Sequence, residues 1–293
     1  MSEHHHHHHV SGKNLFITIL LNIIITVAQI IGGIISGSLA LLSDALHNFS
    51  DVIALVLSYV THKMAAKPRT ETKTFGYKRA EILASLFNAS VLVGIGLYLI
   101  IEAIGKWMNP VEIKSSWVIA LALLSIVLNF VSVLLIKEDS AHNLNIKSAY
   151  LHLLSDVMTS VAVLLGGFAM MFWHIYWIDA LMTLIIAFYL IYMSYGIVAQ
   201  SIDILMQNSP RDLDMQRLKT RFQSLASVED IHHVHVWQLN DSDVFLEAHV
   251  RLDHDLSVAE SNTLMKTLTK IAHDEFHITH TTWQMEYACC NDC

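Results

Sequence analysis

Two copies of the pattern His-x-x-x-Asp lie inside separate apolar stretches: His47 and Asp51 in SDALHNFSD, and His152 and Asp156 in YLHLLSD. A spacing of four places each pair on one helix face, a turn apart. An ionised Asp at the centre of a membrane helix costs about 2.5–3.5 kcal/mol, so carboxylates in such stretches require partners. Two neutral imidazoles and two carboxylates around one divalent cation make a tetrahedral site of zero net charge. Zinc accepts mixed nitrogen and oxygen ligands in that geometry, whereas Mg²⁺ and Mn²⁺ favour carboxylates and carbonyls alone. The two histidines therefore point to Zn²⁺, with Cd²⁺ and Co²⁺ as possible co-substrates.

The elements that must position these residues are membrane spans. Hydrophobic residues make up 54% of the 293, charged residues only 15%, and mean hydropathy is +0.46, well above the soluble norm. About 20 apolar residues cross a bilayer as helix. Six runs qualify, near 15–36, 39–61, 81–104, 116–136, 149–173 and 178–200, with a tight turn at Ser36-Gly37-Ser38 making the first two an antiparallel hairpin. The opening MSEHHHHHH reads as an expression tag, so residues 1–12 are set aside as tag and tail, and residues 13–208 are taken as the membrane domain. Lys63, Lys67, Arg69, Lys73, Lys78 and Arg79 lie between spans two and three, Lys137 and Lys147 between spans four and five, and Lys13 precedes span one; the opposite side has only Lys106 and Lys114. Positive charge stays inside, so both termini are expected in the cytoplasm.

After Pro210 the composition turns acidic. Residues 211–293 hold fourteen Asp/Glu, seven Lys/Arg and eight His. The pattern predicts helix 212–226, strand 230–238, strand 243–251, helix 257–274 and strand 278–286, from period-two alternation in VFLEAHVRL and helical spacing in LMKTLTKIAH. Residues 209–293 are thus expected to form a small α+β, ferredoxin-like αββαβ domain. About 80 residues bury only a modest core, so dimerisation or metal binding is expected to help hold it. Strict alternation in IHHVHVW would put His232 and His233 on opposite faces, with His235 on the face of His233.

Spans two and five run in opposite directions, so their His-x-x-x-Asp faces can meet. With the boundaries above, Asp156 lies seven residues from the inner end of its span and Asp51 ten, a depth mismatch of about 4.5 Å at 1.5 Å per residue. Tilt, or a fifth span that starts earlier, would absorb it. Asp44, one turn before His47, is expected either to line an exit route or to make a structural hydrogen bond. Asn48 and Ser155 are candidate supports for the ligands. Asn22, Gln29, Asn88, Asn129 and Glu102 read as interhelical or interface residues. Histidines that titrate near pH 6.5 exchange protons for metal in the physiological range. Exchange of Zn²⁺ for H⁺ by alternating access is the resulting expectation. No GxxxxGK[ST] element provides for ATP. An intramembrane zinc metalloenzyme would need an open ligand position and a general base, and Asn48 stands where His-Glu-x-x-His carries its Glu. A passive channel would avoid strong chelators. Nothing in the charge pattern calls for nucleic acid.

These features resemble the cation diffusion facilitators: six spans, the paired motif in spans two and five, FGYKRAE entering span three and an acidic, His-rich terminal domain. The resemblance implies a homodimeric exporter of zinc and related ions, usually proton-coupled; a bacterial plasma membrane is expected ahead of a eukaryotic vesicle, which the sequence leaves open. It implies His47, Asp51, His152 and Asp156 as the transport ligands, in a combination that favours zinc over cadmium. Some members bind a second metal in the loop between spans two and three through an F-G-H element; here Phe75-Gly76-Tyr77 and Lys73 occupy those positions, so that site is expected to be absent. The loop between spans four and five has only His142, too little to capture metal. By the same resemblance a cytoplasmic site would draw on His232, His249 and Glu286, with Asn262 where the family places a helix histidine. Cys289, Cys290 and Cys293 add soft donors, read in a reducing cytosol as metal ligands rather than disulfides.

Overall fold

The computed structural model describes residues 12–65, 67–140 and 144–287. Six long helices come first: α1 (Gly12–Ser36), α2 (Leu39–Ala65), α3 (Ala80–Met108), α4 (Ser115–Ser140), α5 (Leu144–Trp173) and α6 (Trp177–Leu205). All six contain segments long and apolar enough to cross a membrane. Then follow α7 (Met215–Gln223), β1 (Val228–Gln238), β2 (Val244–Leu252), α8 (Val258–Phe276) and β3 (His280–Glu286). The described residues form two compact units, 12–57 with 87–196, and 58–86 with 197–287. The second unit thus takes in the last turns of α2, the α2–α3 connection and the first turns of α3, along with the C-terminal domain.

The helical unit has the polarity of a bilayer protein. Gln29, Asp44, Asn48, Ser125, Asn129, Asp156, Ser160 and Asp179 are buried, while Phe87, Ile101, Leu165, Phe188 and Tyr192 are exposed. Without water in the hydrocarbon region, polar groups gain only by facing one another. Small residues allow the close approach: a Cβ on Gly32 would fall 1.7 Å from Leu121 on α4, and one on Gly96 would fall 2.6 Å from Ile191 on α6. Gly37, at φ +73°, makes the turn between α1 and α2.

The start of α2 is held from another helix. The Ser38 hydroxyl accepts from Leu41 N–H, and Asp179 of α6 accepts from Leu39 N–H at 2.8 Å, Ala40 N–H at 3.3 Å and the Ser38 hydroxyl at 2.5 Å. Three of the four amides that every helix leaves free at its N-terminus are satisfied here by side chains.

The C-terminal sheet has the order β1-β2-β3, with β1 and β2 antiparallel and β2 and β3 parallel through α8, giving the expected αββαβ order. Asp214 caps α7, and Ser257 with Glu260 forms a capping box on α8. Leu218, Phe222, Leu246, Ala248, Val250, Leu268 and Ile278 fill the core beneath one sheet face.

Span five falls where anticipated, at Tyr150–Trp173, although helix α5 itself begins earlier, at Leu144. Asp51 then lies fourteen residues from the end of α2 and Asp156 twelve from the start of α5, so the depth mismatch shrinks to about 3 Å. One expectation needs correction: strict alternation fails in β1. His232 pairs with His249 and His235 with Glu247, so His233 and Val234 together face the single residue Ala248. This is a β-bulge, and His233 takes φ +46° within it. The extra residue resets the parity: His232 and His235 share the face opposite the core, while Val234 packs into the core.

Candidate functional site

In the helical unit the sequence motif closes into one cluster. Because α2 and α5 are antiparallel, each His meets the Asp of the other helix. His152 Nε2 lies 3.1 Å from Asp51 Oδ2, and His47 Nε2 lies 3.9 Å from Asp156 Oδ1. The within-helix pairs are comparably close, 3.7 Å for His47–Asp51 and 3.8 Å for His152–Asp156. His47, His152 and Asp156 each offer a ligand atom within 4.8 Å of the others, close enough to hold one cation, and Asp51 touches both histidines but falls outside that trio. His47 Nδ1 and Asp156 Oδ2 are buried without a hydrogen-bond partner. A cation at the Asp156 oxygen would supply what it lacks. Asp156 is buried, whereas His152 is the most exposed of the four.

One turn along α2 lies a second layer that the sequence indicated only in part. Gln29 of α1 donates to Asp44 Oδ2 at 2.6 Å, and Asn48 donates to Gln29 Oε1 at 3.0 Å. From the other side, the Asp44 carboxylate faces Ser160 of α5. Ser160 in turn lies 2.9 Å from the Ser125 hydroxyl, to which Asn129 donates at 3.3 Å. Asp44 is therefore where two polar arms joining α1, α2, α4 and α5 meet, directly beside His47. Its structural hydrogen bond was one of the two expectations; Ser160 was missed, although its place four residues after Asp156 marks the same face. Gln29 and Asn88 serve as interhelical links as expected, Asn88 by accepting from Ser50 at 3.3 Å, whereas Asn129 donates to Ser125 of its own helix. Asn22, by contrast, accepts from Thr26 of its own helix. Ser155 takes part only through its carbonyl, which accepts from Thr159.

In the C-terminal domain His232, His249 and Glu286 converge across all three strands. His232 Nε2 lies 3.2 Å from Glu286 Oε2, and His249 Nδ1 lies 2.7 Å from Glu286 Oε1. Despite that proximity His249 Nδ1 makes no well-directed hydrogen bond, and it is buried, as is the unpartnered His232 Nδ1. Imidazoles set edge-on to a shared carboxylate with orphaned nitrogens fit a cation better than a hydrogen-bond network. Gln284 donates to Glu286 Oε1 at 2.8 Å and steadies it. Cys289, Cys290 and Cys293 lie outside the described residues, as does His142. In the α2–α3 connection Lys73 Nζ contacts the Tyr77 hydroxyl at 2.6 Å and stacks 4.1 Å from its ring, holding the phenol below its ordinary range.

The sequence is similar to known proteins along nearly its whole length. Residues 15–206 match the family described as "Cation efflux transmembrane domain" and residues 210–288 the family described as "Cation efflux protein, cytoplasmic domain". A Bacillus subtilis (strain 168) protein named "Cadmium, cobalt and zinc/H(+)-K(+) antiporter" is 34% identical over 264 residues, covering 89% of this chain and 84% of its own. The zinc transporter ZitB of Escherichia coli K12 is 30% identical over 273 residues, covering 90% and 85%. Among solved structures, the metal-bound C-terminal domain of the CzcD transporter from Cupriavidus metallidurans is 27% identical, covering 25% of this chain and 99% of that one, at a TM-score of 0.23. The class is that of an integral, multi-pass membrane transporter of metal cations, not an enzyme. The chain belongs to the cation efflux family, the cation diffusion facilitators.

Proposed function

We propose that the chain exports Zn²⁺ from the cytoplasm in exchange for protons, with Cd²⁺ and Co²⁺ competing for the same route. The observation that carries this reading is the cross-pairing of His47, Asp51, His152 and Asp156 between antiparallel helices. Metal requires deprotonated ligands, so each binding event displaces protons and each release takes them back. If α2 and α5 expose the cluster first to one side and then to the other, the proton gradient drives zinc outward. The named activities of the relatives, an antiporter and a zinc transporter, support the direction and the coupling.

The bias of basic residues favours both termini in the cytoplasm, in a bacterial plasma membrane. There the C-terminal domain would bind zinc through His232, His249 and Glu286, with the thiols of Cys289, Cys290 and Cys293 as further soft donors, and that binding would favour a homodimer. Transport would rise when cytoplasmic zinc is abundant.

The test is zinc flux into proteoliposomes under an imposed pH gradient. The parent chain is expected to show gradient-dependent flux, and Asp51→Ala and Asp156→Ala each to reduce it to the level of empty vesicles. Flux that survives either substitution, or ignores the gradient, rejects the four-residue exchange site.

A further inference from the structure

Among the described residues, His232, His249 and Glu286 supply three of the four donors that a tetrahedral cation takes. We propose that His233 is the fourth ligand, delivered by the bulge in β1, so that the C-terminal domain holds a three-histidine, one-carboxylate site for a divalent cation of tetrahedral preference. This rests on reading the His232–His249–Glu286 cluster as a metal site. In a regular strand His233 would point at the core on the opposite side of the sheet from His232. The bulge seats Val234 in that core position instead and releases His233 as the unpaired residue. Its ring then comes to 4.9 Å from that of His249 and 5.7 Å from that of His232, centroid to centroid. Imidazoles bound to one zinc have centroids about 5 Å apart, from a bond near 2.0–2.1 Å and a tetrahedral angle. His235, the other histidine of the strand, is farther out, 6.5 Å from His233, and faces Glu247 across the ladder.

The backbone supplies independent support. His233 adopts φ +46°, a left-handed conformation that costs a residue with a Cβ and that Gly or Asn would occupy more easily. Strained conformations of this kind persist where the side chain they aim has work to do. His233 is exposed in the single chain, so a cation can reach its ring.

Cobalt(II) reports coordination through its visible ligand-field bands, intense when tetrahedral and weak when five- or six-coordinate. The full chain carrying Asp51→Ala and Asp156→Ala, which removes two of the membrane donors, is titrated with Co²⁺ and then competed with Zn²⁺. The C-terminal cluster is expected to give the intense tetrahedral spectrum. His233→Asn keeps a residue that tolerates the left-handed backbone but removes the imidazole. It is expected to weaken the bands and to lower zinc affinity at least by the roughly 10- to 100-fold that even outer-sphere partners contribute. His233→Gly, which relieves the backbone entirely, should give the same loss. An unchanged spectrum and affinity in both variants overturns the assignment of His233. His249→Ala separates the two levels of the argument. If it abolishes the spectrum while the His233 variants retain it, only the fourth ligand is wrong; if it too changes nothing, the C-terminal cluster is not the metal site.

Discussion

Asp44 shows how a single residue near the cluster differs from the ligands themselves. His47, Asp51, His152 and Asp156 are near one another but only His152 and Asp51 lie within hydrogen-bond distance, whereas Asp44 is engaged by Gln29 and faces Ser160. The contrast separates residues kept available for a cation from one kept occupied. Gln29→Leu would leave both the Asp44 oxygen and the Asn48 amide without their shared partner. A loss of about 1–3 kcal/mol is expected, the cost of an unsatisfied buried polar group, read as a lower midpoint in thermal unfolding of the detergent-solubilised chain. The cluster of His47, Asp51, His152 and Asp156 was legible in the sequence because carboxylates are expensive in apolar helices and their spacing repeats. Gln29 was visible as a buried amide, but its partner was not: a side-chain hydrogen bond between α1 and α2 across the Gly37 turn has no periodic signature. Ser160 went unnoticed because serine carries little cost in a helix and so gives no reason to look.

At the level of elements, a strand and a helix end show what local pattern can and cannot reveal. The order of helices and strands was readable from hydrophobic periods of 3.6 and 2. The bulge at His233 was not, because nothing in IHHVHVW supplies the Gly that usually marks a left-handed residue in a strand. Helix α5 extends back to Leu144 through a polar stretch, so hydropathy alone marked its membrane span and not its start. The cap on α2 depends on Asp179, 140 residues away from Leu39. Asp179→Ala would strip the acceptor from the Leu39 and Ala40 amides and from the Ser38 hydroxyl. About 2 kcal/mol should be lost, in the range of a missing cap plus unsatisfied buried donors. Circular dichroism melts of parent and variant check this, and an unchanged midpoint would show that the contact holds nothing in place.

The whole molecule combines a helical unit with its polar residues inside and a small sheet domain whose cation cluster faces away from its core. Any ligand that binds the folded state alone raises its stability, by about 2.7 kcal/mol when present at a hundred times its dissociation constant. Zinc should therefore raise the unfolding temperature of the chain carrying Asp51→Ala and Asp156→Ala, a chelator should reverse the rise, and adding His249→Ala should abolish it. Because metal ligands bind only when deprotonated, the zinc-dependent rise should shrink as the pH is lowered. A rise that persists without His249 would place the stabilising ion elsewhere. The sequence announced both units through its change from apolar to acidic composition after Pro210, but it gave no sign that residues 58–86 would pack with the C-terminal unit. Basic loops read equally well as free linkers or as docked segments. Here Lys78 joins Asp243 at 2.6 Å and Phe75 meets Phe245 edge-on.

The Asp179 contact also sets the mechanics of α2. A helix pinned at one end is a lever with its fulcrum there. Asp51 lies twelve residues and Ala65 twenty-six residues from Leu39, or about 18 and 39 Å along the axis at 1.5 Å per residue. Rocking about the fulcrum displaces the far end roughly twice as far as the ligands.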